Sequence, residues 1–212
     1  MTSDDRVTRA RSLRTPDDAV RLYDSWAADY DHDVFEVMGF IGTDRIADLL
    51  ATHVPDRDQP VIDLGCGTGA AGVRLAHHGF GSIDGVDISS SMLDVAAQLG
   101  VYRHLLTADL TQPLTIEHCY GASISAGTFT TGHVGADAIP ALVKLLQPGA
   151  VVAWVIAEQL WPSFQQTMEQ QGLHMVHIAL EQVRRNGPPE SMMVVARLRS
   201  SPAVGSAQDF PS

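Results

Sequence analysis

The sequence predicts a single doubly wound α/β domain built on a seven-stranded, mostly parallel sheet. Three observations lead to this prediction. Short apolar segments alternate with segments of helical periodicity from residue 15 to residue 199. A glycine-rich loop follows the first apolar segment and precedes a helix. The last two strand-like segments flank a turn at 186–189, which predicts a C-terminal hairpin that adds one antiparallel strand to the sheet.

Two helices are predicted before the first strand. Thr15 can cap the first of them, and Pro16 suits its first position. Apolar and aromatic residues recur along it at helical spacing as far as Tyr30. The second helix is predicted over residues 43–53. We expect these leading helices, residues 15–53, to cover the rest of the domain as a lid.

The alternation of strands and helices continues to the end of the domain. The strands are predicted at 61–64, 83–86, 104–108, 120–126, 150–157, 173–183 and 191–199. The helices between them are predicted at 70–78, 89–99, 137–146 and 164–171. Residues 1–14 and 200–212 are polar or lack periodicity, and we expect a flexible leader and a flexible tail. The domain therefore spans residues 15–199.

Charge and composition exclude several classes of partner. The 14 basic residues are outnumbered by 25 acidic ones, for a net charge of −11, which disfavours nucleic acid and anionic membranes as partners. No apolar run reaches the roughly 18 residues that a membrane span needs. Two cysteines, Cys66 and Cys119, are too few for a disulfide framework and show no spacing typical of a zinc site. These features predict a cytoplasmic protein.

The strongest motif is the loop at residues 63–69, Asp-Leu-Gly-Cys-Gly-Thr-Gly. Glycines allow a tight turn and a close approach of the backbone to a ligand, and the next helix offers free N–H groups to an anion. A phosphate-binding P-loop is disfavoured because no Gly-Lys-Ser/Thr ends the motif. A dinucleotide site stays open on the glycines alone, since the small residue Ala70 occupies the place of the third glycine.

Acidic residues are predicted to follow or end three of the strands. Asp87 ends the second strand about 20 residues after the glycine loop, where a carboxylate can hold two ribose hydroxyls. Asp109 ends the third strand and can accept from an adenine amino group. Because ligands of open α/β sheets bind beyond the carboxyl ends of the strands, we expect Asp63, Asp87 and Asp109 to face one site.

Three segments together resemble the cofactor motifs of the class I S-adenosylmethionine-dependent methyltransferases. They are residues 61–69 (VIDLGCGTG), 85–93 (GVDIS with SML behind it) and 107–110 (TADL). The closing hairpin is also similar to that family and unlike the dehydrogenases. Residues 23–31 resemble the leading helix of its small-molecule branch, most closely the group named after the Williams–Beuren syndrome region. The resemblance implies a Rossmann-like methyltransferase fold and S-adenosylmethionine as cofactor.

The resemblance also implies roles for individual residues. Gly65 and Gly67 would face the methionine part of the cofactor, Asp87 its ribose, Ile88 and Met92 its adenine, and Asp109 with Leu110 the adenine edge. Tyr30 would cover the cofactor, with Tyr23 and Trp26 beside it. Ordinary core packing of an amphipathic helix explains these three aromatic residues equally well.

His133 is the candidate general base. It lies among glycines and threonines in the segment 126–135 after the fourth strand, and it titrates near neutral pH. Capping of the next helix is the alternative role. No metal is predicted, because the cluster Asp31-His32-Asp33 points in different directions on a helix and is expected to be a solvated helix end.

The sequence thus predicts S-adenosylmethionine-dependent methyl transfer to a small-molecule acceptor that it does not identify. The alternatives are a non-catalytic module or partner subunit that binds the same cofactor, and a dinucleotide-dependent oxidoreductase. A protein or nucleic-acid acceptor is disfavoured by the acidity. Residues 158–164 and 184–189 are short where relatives carry a substrate cap, which favours a small or partly exposed acceptor.

Overall fold

The computed structural model describes residues 2–116 and 119–200, and it confirms the predicted fold class. Seven strands form one sheet in the order β3-β2-β1-β4-β5-β7-β6. They are β1 (Val61–Leu64), β2 (Ile83–Asp87), β3 (His104–Thr107), β4 (Tyr120–Phe129), β5 (Leu146–Ala157), β6 (Leu173–Gln182) and β7 (Pro189–Leu198). Strands β1 to β5 are parallel, and β7 pairs antiparallel with both β5 and β6. Of the predicted tail, residues 201–212 lie outside the described residues.

The helices lie where the periodicity places them, with one addition before Thr15. They are α1 (Ser3–Ala10), α2 (Pro16–Trp26), α3 (Gly42–His53), α4 (Ala70–His77), α5 (Ser90–Gln98), α6 (Ile139–Val143) and α7 (Trp161–Gln170). A π-helix, His32–Val37, lies between α2 and α3. The predicted caps are present: Asp18 N–H donates to Thr15 Oγ1 (3.1 Å), and Met92 N–H donates to Ser89 Oγ (3.1 Å).

Strand order places the ligand crevice beyond β1 and β4. From the central strand β1 the chain runs outward to β2 and β3, then returns to β4 on the other side of β1. Loops that leave β1 and β4 therefore diverge at a topological switch point, where open α/β sheets bind ligands. The glycine loop, 65–69, and the loop at 130–135 both lie at this edge of the sheet.

Both faces of the sheet are covered, as a doubly wound fold requires. Alternate residues of β1 belong to two different apolar clusters: Val61 packs with Leu50 of α3 and Leu75 of α4, whereas Ile62 packs in the cluster that contains Leu142 of α6 and Phe164 of α7. Because β1 is buried on both faces, its apolar sequence is continuous rather than alternating.

Several element boundaries differ from the sequence predictions, including three around β4 and β5. Strand β4 continues past residue 126 to Phe129, so the loop that carries His133 is shorter than expected. The helix predicted over 137–146 ends at Val143, and β5 begins at Leu146. Gly149 lies inside β5, where Leu146 pairs with Tyr120 but Val151 already pairs with Ala122. The Pro-Gly pair therefore marks an irregularity within the strand, not the end of a helix.

Helix α1 lies within the segment that the sequence predicted as a flexible leader. The hydroxyl of Thr2 accepts from Asp5 N–H, and the Asp5 carboxylate accepts from Thr2 N–H, which together form a capping box. Ala10 and Leu13 are buried against α2. The helix is short and polar, and long-range contacts hold it, so periodicity alone did not indicate it.

The buried carboxylate of Asp33 fixes α1 to the lid, residues 15–53. Asp33 accepts hydrogen bonds from Ser3 Oγ (2.5 Å), Arg6 (2.8 Å) and Trp26 Nε1 (2.8 Å). Arg6 also pairs with Asp29 at 2.9 Å, but that side chain is 60% exposed against 7% for Asp33.

We expect Asp33→Asn to speed hydrogen exchange of the α1 amides at least about tenfold, because a buried charged acceptor of three donors is lost. Asp29→Asn is the matched control: it removes an exposed partner of the same arginine, and we expect a change of less than about threefold. Equal effects of the two variants in exchange mass spectrometry would contradict this role for Asp33.

Candidate active site

Two adjoining cavities lie at the carboxyl edge of the sheet under the lid. The first, here called the β2 cavity, has a volume of about 280 Å³ and lies against the end of β2 and the residues after β3. The second, the lid cavity, has a volume of about 520 Å³ and extends beneath α1, α2 and the π-helix. Residues that line both define the junction: Tyr23, Tyr30, Gly65, Ala126, Gly127 and His133.

The glycine loop forms the floor of the junction. Gly65 has a φ of 71°, and its N–H donates to Val86 O of β2 (2.8 Å). A Cβ atom there would overlap Thr128 of β4, whose hydroxyl donates to Leu64 O (3.0 Å). Gly65 is therefore required both by its backbone angle and by the close approach of β4. Gly67, with a φ of 53°, lines neither cavity, although the sequence predicted that it faces the ligand.

Asp87 is held rigidly at the wall of the β2 cavity. Its Oδ2 accepts from Gly67 N–H (2.8 Å), and its Oδ1 accepts from Ser89 N–H (2.9 Å). Burial raises the pKa of this carboxyl, although these backbone donors oppose the shift. Since each carboxylate oxygen has a second lone pair, the group can still accept two hydroxyl donors from a ligand. Gly67 thus contributes through its N–H bond to Asp87.

Asp63 lies at the end of β1, is 1% exposed and lines the lid cavity. The Tyr102 hydroxyl donates to its Oδ2 (2.7 Å) and accepts from Gly72 N–H of α4 (3.2 Å). Burial raises the pKa of Asp63 to about 7; the Tyr102 bond opposes this shift, and the Asp87 charge adds to it. A cationic ligand group in the lid cavity would therefore stabilise the ionised form of Asp63, which burial disfavours.

The raised pKa of Asp63 predicts a pH-dependent stability. Between its unfolded pKa near 4 and its folded pKa near 7, the folded state binds more protons, so this group's stabilising contribution is lost as pH rises through that window. We expect the stability of Asp63→Asn relative to wild type to increase by about 2–3 kcal/mol between about pH 5 and pH 8. Urea denaturation of both proteins at both pH values measures the difference. A constant difference would contradict the raised pKa.

His133 lies at the junction with its tautomer fixed by two neighbours. Its Nδ1 is 3.2 Å from Thr131 O, and a carbonyl only accepts, so Nδ1 carries the hydrogen. Nε2 is then the acceptor, and the Tyr23 hydroxyl donates to it at 2.6 Å. Burial lowers the pKa of His133, so the ring is neutral at neutral pH. The side chain caps no helix; Gly135 precedes the following 3₁₀ turn.

The other predicted cofactor residues lie together in the β2 cavity. Ile88, Met92 and Leu110 give it an apolar lining, with Met92 and Leu110 almost fully buried. Asp109 lies at its edge, where its Oδ1 accepts from Thr111 N–H (2.8 Å) and from the Thr111 hydroxyl (2.7 Å). The cavity is therefore an apolar slot with one carboxylate at Asp87 and another at Asp109.

Aromatic residues of the lid cover the junction. Tyr23 stacks on Trp26 with ring centroids 6.1 Å apart, and Tyr30 meets Trp26 edge-on at 4.9 Å. Tyr23 and Tyr30 line both cavities, whereas Trp26 is 2% exposed and is mainly a packing residue. Core packing therefore accounts for Trp26, whereas the positions of Tyr23 and Tyr30 are compatible with the predicted cover over the cofactor.

Two lid carboxylates contact the loops that follow β1 and β2. Asp31 accepts from Thr68 Oγ1 of the glycine loop (2.5 Å), and Asp24 accepts from Ser89 Oγ at the start of α5 (2.6 Å). The predicted solvated helix end at 31–33 is therefore corrected: Asp33 is buried, the exposed Asp31 binds the glycine loop, and the exposed His32 pairs locally with Glu36. Among residues 2–116 and 119–200 no group of three potential ligands is placed to hold a metal ion.

Three residues support the site through long-range contacts that the sequence did not predict. Tyr102, Asp24 and Thr128 contact Asp63, Ser89 and Leu64 across 39, 65 and 64 residues of chain. Each of them follows from the tertiary fold. The final hairpin also contributes to the site. Ile41 N–H donates to Val183 O (2.8 Å), and Arg185 N–H donates to Gly39 O (2.9 Å). These two bonds close the lid cavity on the side of the hairpin.

The comparisons with known proteins agree with this site. Residues 61–149, from β1 to the first half of β5, match the family model described as a methyltransferase domain. The chain also shares its fold with solved methyltransferases that hold S-adenosylmethionine or S-adenosylhomocysteine, which supports the predicted cofactor. It is 34% identical over 152 residues to methyltransferase-like protein 27 from Homo sapiens. That match covers 69% of this chain and 61% of the human protein.

Solved structures share the whole fold at low sequence identity. Magnesium protoporphyrin IX methyltransferase from Synechocystis PCC 6803, with S-adenosylhomocysteine bound, has a TM-score of 0.68 at 16% identity and covers 86% of this chain and 99% of its own. The [4+2]-cyclase SpnF has a TM-score of 0.68 at 18% identity, covering 89% and 98%. These two names show that the fold by itself does not determine the reaction.

Proposed function

We propose that this protein transfers a methyl group from S-adenosylmethionine to a small-molecule acceptor. The observation that carries the proposal is the pair of cavities that meet over Gly65, one lined by Asp87 and the other by Asp63. A ligand with a nucleoside at one end and an amino acid at the other matches this arrangement, because each end meets the groups that recognise it. The reacting atom then lies at the junction, beside His133.

The residues present fit the cofactor. In the proposed arrangement Asp87 accepts from the ribose hydroxyls, Ile88, Met92 and Leu110 pack on the adenine, and Asp63 faces the ammonium group. When bound, S-adenosylmethionine supplies an activated methyl group on a sulfonium. The chain's own residues then align the acceptor with it and exclude water, which is most of what an in-line displacement requires.

Two other functions are less well supported. A dinucleotide-dependent oxidoreductase would share the glycine loop and Asp87, but the match over residues 61–149 is to a methyltransferase domain, and β7 is antiparallel. A non-catalytic module would keep the cofactor cavity without the acceptor space. Here the lid cavity is the larger of the two and has Tyr23 and His133 at its inner end.

We also propose that the chain belongs to the small-molecule branch and to a group similar to that of the Williams–Beuren syndrome region. The resemblance of residues 23–31 to the leading helix of that branch carries this proposal, and the match to methyltransferase-like protein 27 extends over more of the chain than the cofactor domain does. The net charge of −11 favours a small molecule over nucleic acid.

A cytoplasmic location is consistent with two free cysteines, Cys66 and Cys119. Over the described ranges, 2–116 and 119–200, none of the helices is long and apolar enough to span a membrane.

The acceptor class can be tested with methyl-labelled S-adenosylmethionine and fractionated cell extract. We expect label to enter the small-molecule fraction, and this incorporation to be lost with Asp87→Ala. Transfer of label to RNA or protein alone would overturn the small-molecule proposal, whereas no transfer to any fraction by protein that binds the cofactor would support the non-catalytic alternative.

A further inference from the structure

We infer that Tyr23 and His133 form a proton relay at the junction of the two cavities, and that the acceptor is an apolar molecule that presents a neutral hydroxyl group to Tyr23. This inference rests on the proposed methyl transfer and names the acceptor chemistry of the same site. Three observations support it: the hydrogen-bond pattern of the pair, its position, and the lining of the lid cavity.

The hydrogen-bond pattern gives the relay a direction. His133 Nδ1–H is committed to Thr131 O, so Nε2 is the basic nitrogen, and it is the atom to which Tyr23 donates at 2.6 Å. The Tyr23 hydroxyl has thereby used its hydrogen, and its oxygen keeps lone pairs for an incoming donor. Tyr23 lines the lid cavity as well as the β2 cavity, and in the proposed relay the acceptor hydroxyl approaches this oxygen from the lid cavity.

Position distinguishes this pair from an ordinary packing contact. Tyr23 comes from the lid and His133 from the loop after β4, and their rings are 5.8 Å apart. Of the residues that the structure describes, six line both cavities, and among these six Tyr23 and His133 are joined by a side-chain hydrogen bond along which a proton can move. The contact therefore joins the lid to the sheet at the place where the methyl group would be transferred.

The lining of the lid cavity favours an uncharged, apolar acceptor. Its roof is formed by Val34, Phe35, Met38 and Phe40. Toward the hairpin, Arg184 and Glu190 bind each other through two bonds of 2.6 Å, so neither presents an unpaired charge to a ligand.

Other charged groups lie around the pair in both cavities. In the lid cavity, Arg11 and Glu158 are exposed residues, while Asp63 is a buried residue at the end of β1. In the β2 cavity, Arg14, Asp87 and Asp109 are the charged residues.

A carboxylic acid is already ionised at neutral pH and needs no base, so a relay is useful to an acceptor that still holds its proton, such as a hydroxyl group.

The step is balanced as follows. The acceptor oxygen forms a bond to the methyl carbon, and the carbon–sulfur bond breaks with its electron pair going to sulfur. The hydroxyl proton passes to Tyr23 Oη, and the Tyr23 proton passes to His133 Nε2, which gives a neutral tyrosine and an imidazolium. Burial raises the pKa of Tyr23 and lowers that of His133, so the pair begins as phenol and neutral imidazole, ready to accept a proton.

Two phenols test the relay. At about pH 8, 4-methylphenol keeps its proton, whereas the more acidic 4-nitrophenol is largely ionised and needs no base. With methyl-labelled S-adenosylmethionine, we expect Tyr23→Phe and His133→Ala to slow methylation of 4-methylphenol by about 100-fold or more, and that of 4-nitrophenol by less than about tenfold. His77→Ala is the matched control: it is an exposed histidine on α4 that lines neither cavity, and we expect no change.

Nitrogen NMR of the histidine rings gives a readout that does not depend on turnover. We expect one neutral ring with its hydrogen on Nδ1, absent from the spectrum of His133→Ala and altered in Tyr23→Phe. Equal rate losses for both phenols, a hydrogen on Nε2 of His133, or failure of a cofactor-binding wild type to methylate either phenol would overturn the inference. Failure of the wild type to bind S-adenosylmethionine in calorimetry would instead overturn the proposed function on which it rests.

Discussion

Replacing Asp87 by alanine is expected to weaken S-adenosylmethionine binding at least about 100-fold. The carboxylate is the charged acceptor in the β2 cavity proposed for the ribose, and hydrogen bonds to a charged group contribute about 1.5–3 kcal/mol each. The substitution also leaves Gly67 N–H and Ser89 N–H without their acceptor, so the glycine loop loses a support. Isothermal titration calorimetry of the purified variant measures the effect.

The control for this prediction is Asp94→Ala. Asp94 is an exposed acid on α5, close in sequence to the site but in neither cavity, so its loss changes the net charge equally. We expect its Kd to stay within about twofold of wild type. Asp87→Asn keeps the size of the side chain but places an amide NH₂ against a backbone N–H donor, and we expect it to behave like Asp87→Ala. Wild-type affinity in either Asp87 variant would remove this residue from the site.

Gly65→Ala has the second-largest expected effect, on both stability and binding. The φ of 71° is unfavourable for alanine, by about 1–2 kcal/mol. The new methyl group would also overlap Thr128, with its Cγ2 only 2.9 Å away, and would displace the hydroxyl from Leu64 O. Together these costs are expected to lower Tm by about 5–10 °C and to weaken cofactor binding at least about tenfold.

Gly100→Ala separates the two causes. Gly100 has a similar φ of 66°, but a Cβ atom there meets nothing within 4 Å, and the residue lines neither cavity. We therefore expect a loss of only about 2–4 °C in Tm, with the Kd unchanged. If Gly65→Ala lowers Tm and weakens cofactor binding no more than Gly100→Ala does, the close approach of β4 to the glycine loop contributes to neither stability nor binding.

Local patterns in the sequence, namely periodic apolar residues, helix caps and turn residues, predicted the fold. Thr15 and Ser89 cap helices as expected, because capping depends on groups three residues away. The number of strands and their mostly parallel direction follow from the alternation of apolar runs with helical segments, whereas the order of the strands in the sheet was not predicted. Asp87 and Asp109 were predicted to face one site because parallel strands end at one edge of a sheet, and the resemblance to methyltransferases added Ile88, Met92 and Leu110. The structure brings these five residues to one cavity.

Contacts between distant segments were not predictable in the same way. The helix α1 depends on Asp33, 27 residues from Arg6, so its own composition carries little signal. His133 was predicted as a base from its local surroundings, but its partner Tyr23 is 110 residues away. The sequence likewise indicated that Gly67 faces the ligand, whereas its N–H instead supports Asp87, a role that depends on how β1 and β2 pair.

The central claim is that these two cavities bind S-adenosylmethionine, and calorimetric titration of the wild-type protein tests it most directly. We predict micromolar binding of S-adenosylmethionine with a stoichiometry of about one per chain, and no detectable binding of NAD under the same conditions. Absence of S-adenosylmethionine binding, or tighter binding of NAD, would contradict the account.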